Sequence, residues 1–144
     1  MKHQSISVVT VTVKILFYFI LVLYNMRNFK NQFSFQKRKE ESQKILEKYE
    51  DKIPVIVEKH QGASVKDIDK QKFLVPFEMT VAQFIYVIRK RIELTEQEAL
   101  YIFVDKTLPM TSQTVKSLYD DYKTKKDFDG FLYITYCNEN TFGN

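Results

Sequence analysis

Lys70–Arg91 reads KQKFLVPFEMTVAQFIYVIRKR, and within it the apolar residues change from the period of a strand to that of a helix. In Lys72-Phe73-Leu74-Val75-Pro76 neighbouring side chains leave a strand on opposite sides. Lys72 and Leu74 therefore share one face, and Phe73 and Val75 the other. Pro76 has no N–H to give to a ladder, which suits the end of an edge strand. Thr80-Val81-Ala82-Gln83 has the form of a capping box, with Gln83 placed to reach back to the Thr80 N–H. The helix that follows sets Val81, Phe84, Ile85, Ile88 and Ile92 at the spacing of one buried stripe. Phe84, Val87 and Ile88 make that stripe wider than a single contact needs. Two readings stay open here: ordinary core, or an edge strand beside a broad apolar helix that together form a groove for an extended peptide.

Composition sets the limits around this centre. The 144 residues are 28% charged and 44% hydrophobic, as in one globular domain. Twelve Phe and nine Tyr, without Trp, supply ample core material. The single cysteine, Cys137, excludes an internal disulfide framework and points to a reducing compartment. The net charge of +4 is mild. Lys2 and Lys14 account for half of it, so the chain from Met26 onward is nearly balanced and makes no case for nucleic acid.

The residues offer no catalytic or metal constellation. His3 and His60 are the only histidines, and neither lies near Cys137 in sequence. Cys137, ending a strand pattern, reads as a packing residue. Asp127-Phe128-Asp129-Gly130 starts like a calcium loop, but the glycine stands fourth and Asn138 occupies the twelfth position, where a Glu is needed. With only Gly62, Gly130 and Gly143, there is no phosphate-binding glycine loop. The chain is expected to be neither an enzyme nor a holder of a cofactor or metal.

Around the central stretch, Gln36–Tyr49 reads as an exposed helix, and Ile53–Lys59 as a β-branched strand. Thr95-Glu96-Gln97-Glu98 opens a helical turn, and Leu100–Val104 is a strand. Leu108-Pro109 is a short strand, Val115–Tyr122 a helix and Phe131–Tyr136 the last strand. This order predicts an α+β fold, a β-grasp whose mixed sheet wraps one central helix. The chain ends Thr141-Phe142-Gly143-Asn144. A glycine there reads either as part of a frayed end or as a processing site, since a residue without Cβ threads a narrow enzyme channel.

These stretches together resemble the autophagy-related ubiquitin-like modifier family, GABARAP and its relatives, over about Met26–Asn144. The matching runs are Phe35–Lys39, Ile53–Lys59, Lys72–Pro76, Thr80–Phe84, Ile88–Ile92, Leu108-Pro109, Phe131–Tyr133 and Glu139–Gly143. The resemblance implies a β-grasp preceded by two additional N-terminal helices. It implies that a cysteine protease cleaves between Gly143 and Asn144, and that activating and conjugating enzymes join Gly143 to phosphatidylethanolamine. The chain would then pass from the cytoplasm to autophagosome membranes and recruit cargo receptors carrying a W/F/Y-x-x-L/I/V motif. By matching residues, the pocket for the motif's aromatic residue is Glu41, Ile45, Pro54, Ile56, Lys72, Leu74 and Phe131. That for the aliphatic residue is Phe73, Val75, Pro76, Met79, Phe84, Val87 and Ile88. Lys70 and Arg91 would meet acidic residues that flank the motif. The alternative is a non-conjugated or membrane-anchored peptide-binding module of the same fold.

Residues 1–25 have no counterpart in that resemblance. Ile6–Tyr24 is 19 residues interrupted only by Ser7, Thr10, Thr12 and Lys14. Three readings compete: a transmembrane anchor with a costly mid-span lysine, a signal peptide without a small-residue cleavage site, and a stretch upstream of the native start. The expected division is 1–25 as a hydrophobic extension and 26–144 as the modifier domain, with the native protein beginning near Met26.

Overall fold

The computed structural model describes residues 2–139, with side chains described for 7–20 and 28–139. The chain divides into two compact units, Met1–Ser34 and Phe35–Asn144. The first holds helix α1 (Lys2–Arg27) and the single turn α2 (Phe29–Gln32), which Asn28 caps by accepting from the Lys30 N–H at 3.0 Å. The side chains of residues 7–20 are all exposed. Among the described residues no helix is long and apolar enough to cross a membrane.

The second unit is the predicted β-grasp. Its elements are α3 (Phe35–Lys48), β1 (Lys52–Lys59), β2 (Lys72–Pro76), α4 (Val81–Arg91), β3 (Tyr101–Phe103), α5 (Val115–Tyr122) and β4 (Leu132–Cys137). The sheet runs β2-β1-β4-β3, with β1 and β4 parallel in the middle and the other two pairs antiparallel. Strand alternation sends Ile53, Val55 and Val57 of β1, Phe73 and Val75 of β2, and Leu132, Ile134 and Tyr136 of β4 into one cluster. Against them α4 buries Val81, Phe84 and Ile88, each worth roughly 1.5–3 kcal/mol of transfer free energy. α4 begins where the sequence places it. The Thr80 N–H donates to Gln83 Oε1 at 2.9 Å and the Gln83 N–H to Thr80 Oγ1 at 3.2 Å.

Two local expectations change. Leu108-Pro109 forms no strand, because the chain closes a tighter turn just before it. Val104 and Thr107 exchange both backbone hydrogen bonds, at 2.9 and 3.0 Å, around Asp105 and Lys106, whose φ angles are +51° and +65°. Two successive left-handed residues are the signature of the turn that matches strand twist. Thr95–Glu98 is a turn without a following helix, its Glu98 N–H reaching the Thr95 carbonyl at 3.1 Å.

α3 is attached differently from α4. It carries little apolar surface, and its two buried residues are Arg38 and Ser42. The Arg38 guanidinium lies 2.5 Å from Asp129 Oδ2 and 3.3 Å from the Tyr133 hydroxyl, which itself donates to Asp129 Oδ2 at 2.5 Å. Asp129 Oδ1 accepts from the Phe131 N–H, and Ser42 Oγ donates to the Asp129 carbonyl. Burial opposes the charge on Arg38, but its hydrogen bonds to Tyr133 and Asp129 prevail and its pKa rises. Burial, with the Asp129 carboxylate, pushes the Tyr133 phenol up in turn. Gly130 makes the approach possible: at φ +99°, a Cβ there would lie 2.0 Å from Ser42 Oγ.

Removing one partner of such a buried pair strands the other charge, at a cost of about 3–5 kcal/mol. Asp129→Ala is expected to lower stability to denaturant by that amount, and Arg38→Met with Asp129→Leu to recover most of it. An Asp129→Ala loss below about 1 kcal/mol, as for an exposed pair, would contradict this attachment.

Candidate functional site

β2 is an edge strand, and its register fixes what it presents. The Val57 N–H donates to the Gln71 carbonyl at 2.8 Å, and β1 and β2 pair Val55 with Phe73 and Ile53 with Val75. Hydrogen-bonded pairs alternate in an antiparallel ladder, so Phe73 and Val75 turn their backbone groups to β1. Leu74, between them, turns its N–H and carbonyl toward the open side of the sheet. Its side chain is 40% exposed. The edge is thus a hydrogen-bonding template with an apolar side chain at its centre, ending at Pro76.

On the α3 side of the sheet, Pro54 pairs with Leu74 and Ile56 with Lys72 across the two strands. Glu41 on α3 reaches over to Lys72, with 2.5 Å between Oε1 and Nζ. Ile45 lies one turn further along the same helix, half-buried, while Ile56 and Phe131 are fully buried. The pair of Glu41 and Lys72 is partly exposed and adds little stability; its consequence is to set two polar groups over an apolar floor.

The α4 side is built unlike a simple pocket. Phe73, Val75, Phe84 and Ile88 are almost wholly buried, with the Phe73 and Phe84 rings edge to face at 5.8 Å. They form a floor. Pro76, Met79 and Val87 are more accessible and line an open depression of about 720 Å³ that continues over Glu78, Ala82, Gln83 and Tyr86. The backbone holds Met79 at its rim, since the Met79 carbonyl accepts from the Val115 N–H at 2.8 Å. Lys70 and Arg91 both stand over Phe73, at 5.4 and 5.9 Å from its ring centroid, and Arg91 also pairs with Asp69 at 3.4 Å.

The sequence reading thus names residues that the fold places around β2 on both faces. It misses Glu78 in the turn before α4 and Ala82, Gln83 and Tyr86 on the helix, because exposed positions leave no apolar period. It also misses Arg38, Asp129 and Tyr133, for which Gly130 after a short acidic run was the available signal. Gly143 and Asn144 lie outside the described residues.

Comparison with known proteins gives this geometry its relatives. The family model described as "Autophagy protein Atg8 ubiquitin like" matches residues 37–143. Autophagy-related protein 8 of Schizosaccharomyces pombe is 55% identical over 115 residues, 80% of this chain and 93% of that protein. Autophagy-related protein 8e of Arabidopsis thaliana is 57% identical over 115 residues, 80% and 92% of the two chains. The crystal structure of Trypanosoma brucei ATG8 superposes with a TM-score of 0.72 at 36% identity, covering 81% of this chain and 97% of that one. The edge strand, the β-grasp behind it and these matches lead to one conclusion: the chain belongs to the Atg8 family of ubiquitin-like autophagy proteins.

Proposed function

We propose that the protein is a ubiquitin-like modifier that catalyses nothing itself and is carried by its tail while it binds through its edge strand. A cysteine protease removes Asn144, and activating and conjugating enzymes join the Gly143 carboxylate to phosphatidylethanolamine. The protein moves from the cytoplasm to autophagosome membranes by that step. There it recruits cargo receptors whose W/F/Y-x-x-L/I/V segment adds to β2 as a further strand.

The observation that carries the binding half is the exposed Leu74. Its backbone faces the open edge while its side chain stands beside Pro54. An added strand gains hydrogen bonds there and drops alternate side chains to the two faces of the sheet. The aromatic residue goes over Pro54, Ile56 and Phe131 beneath the Glu41–Lys72 pair. The aliphatic one goes over Phe73 and Val75, between Pro76, Met79 and Val87. Burying two such side chains contributes roughly 1.5–3 kcal/mol each before ordering costs, so micromolar affinity, about 8 kcal/mol, needs the strand hydrogen bonds and flanking contacts as well.

Two outcomes follow. Leu74→Ala is expected to weaken a motif peptide about tenfold by calorimetry, from roughly 1.4 kcal/mol of lost burial, with folding intact because the side chain is already exposed. Phe73→Ala is the poorer probe, since that ring belongs to the core. Unchanged affinity in Leu74→Ala would move the site off this edge. For the tail, Gly143→Ala in a chain beginning at Met26 is expected to remain diffuse in cells, without the mobility shift of a lipid conjugate. A membrane-bound, shifted Gly143→Ala form would refute conjugation at this residue.

A further inference from the structure

The end of the last strand is stitched to the loop that follows β1. The His60 N–H donates to the Tyr136 carbonyl at 2.9 Å, and the Tyr136 hydroxyl donates to the Lys66 carbonyl at 2.9 Å. Between those two points the chain turns at Gly62, whose φ of +86° is one that a residue without Cβ adopts freely. The Ala63 N–H closes that turn onto the His60 carbonyl at 3.1 Å, and Val65 enters the core. Ser64 is thereby held, exposed, beside the place where β4 ends.

β4 stops at Cys137, and the next residue makes a third tie. Asn138 Nδ2 donates to Ser64 Oγ at 2.9 Å, joining side chains 74 positions apart. For stability this bond is a poor device. It lies at the surface, where a neutral hydrogen bond replaces one to water at little net gain. It also leaves the shielded Asn138 Oδ1 with no partner among the described residues. Turning the amide over would only transfer that shortfall to Nδ2. The backbone beyond is held weakly, since the Glu139 N–H reaches the Cys137 sulfur, a poor acceptor, at 3.4 Å. What the Ser64 bond does set is the point where the chain leaves the domain. Gly143 follows five residues after Asn138, about 17 Å along an extended chain.

We propose that Asn138, clasped to Ser64, is a positioning residue for trimming at Gly143. The proposal rests on the processing reading above and adds the part of the folded domain that aims the tail. In that reaction the protease thiolate attacks the Gly143 carbonyl carbon, the Gly143–Asn144 peptide bond breaks, and Asn144 leaves with a proton on its nitrogen. Water then hydrolyses the thioester, releasing the Gly143 carboxylate and restoring the thiol. The tail has to be extended in the enzyme's channel before the first of these steps. Every residue ordered there costs backbone entropy, and a root fixed at Asn138 confines that cost to the residues after it. With the clasp cut, Asn138 must be ordered as well, which weakens binding and leaves the chemical step unchanged.

Trimming of the full-length chain by a cysteine protease active on Atg8-family proteins, followed by mass spectrometry as loss of Asn144, tests this. Ser64→Ala and Asn138→Ala are each expected to raise KM about tenfold, equivalent to about 1.4 kcal/mol, with kcat unchanged. The double variant should be no worse than either single one, since all three remove the same bond. Ser64→Thr keeps the hydroxyl and should be trimmed as the native chain is. Amide exchange at Glu139 should quicken in both alanine variants, with the denaturant midpoint and motif-peptide affinity unchanged. An unaltered KM in Asn138→Ala, a loss confined to kcat, single effects that add, or a fall in stability of the same size would overturn the clasp alone. A native chain that keeps Asn144 in the presence of the protease would overturn the processing reading, and this inference with it.

Discussion

The buried pair of Arg38 and Asp129 is the interaction on which the proposed peptide-binding face depends. Helix α4 is held by an apolar stripe, since Val81, Phe84 and Ile88 lock it into the core on one side of the sheet. α3 has no such stripe. Its hold comes chiefly from a charged side chain, two hydroxyls and a backbone carbonyl gathered around Asp129, with Leu46 adding a partly buried apolar contact. Taking those charges out of water is costly, and an apolar contact of similar size would hold the helix as well or better. What the polar arrangement adds is a fixed orientation. Arg38, Glu41, Ser42 and Ile45 share one side of α3, so fixing Arg38 and Ser42 against the loop before β4 sets where Glu41 and Ile45 stand over Pro54 and Ile56.

The two faces of β2 consequently have different mechanical characters. The face toward α4 is continuous with the core, and its floor moves only if the core moves. The face toward α3 rests on one helix held chiefly at one polar point, with partly buried Leu46 against the core and the Glu41–Lys72 pair as a solvent-exposed tie. In the proposed binding mode the aliphatic side chain would meet the stable half and the aromatic one the adjustable half. The segment between α5 and β4 acts on the adjustable half, because it carries both Asp129 and Phe131.

Much of this could be read before any coordinates. The alternation in Lys72–Pro76 placed Phe73 and Val75 opposite Leu74, and the observed burial follows it residue by residue. The capping box at Thr80 and the helical stripe after it located α4, because both are local rules that tertiary packing here reinforces. What escaped is non-local or polar. The Arg38–Asp129 contact joins residues 91 apart in sequence, and no periodicity marks a charge that is buried because its partner is. The turn at Asp105 and Lys106 hid for a related reason: it uses left-handed backbone at residues that are not glycine. The outer depression, formed by Glu78 before α4 and exposed side chains on that helix, had nothing to distinguish it from a solvated face.

In the proposed mode a partner segment becomes a new strand on the open edge of β2, and amide hydrogen exchange at Leu74 and Phe73 reports that strand. The Phe73 N–H already faces β1, whereas that of Leu74 faces outward. Saturation with a motif peptide should slow exchange at Leu74 strongly and leave its neighbour Phe73 nearly unchanged. Peptide binding that leaves Leu74 exchange unaltered would contradict strand addition.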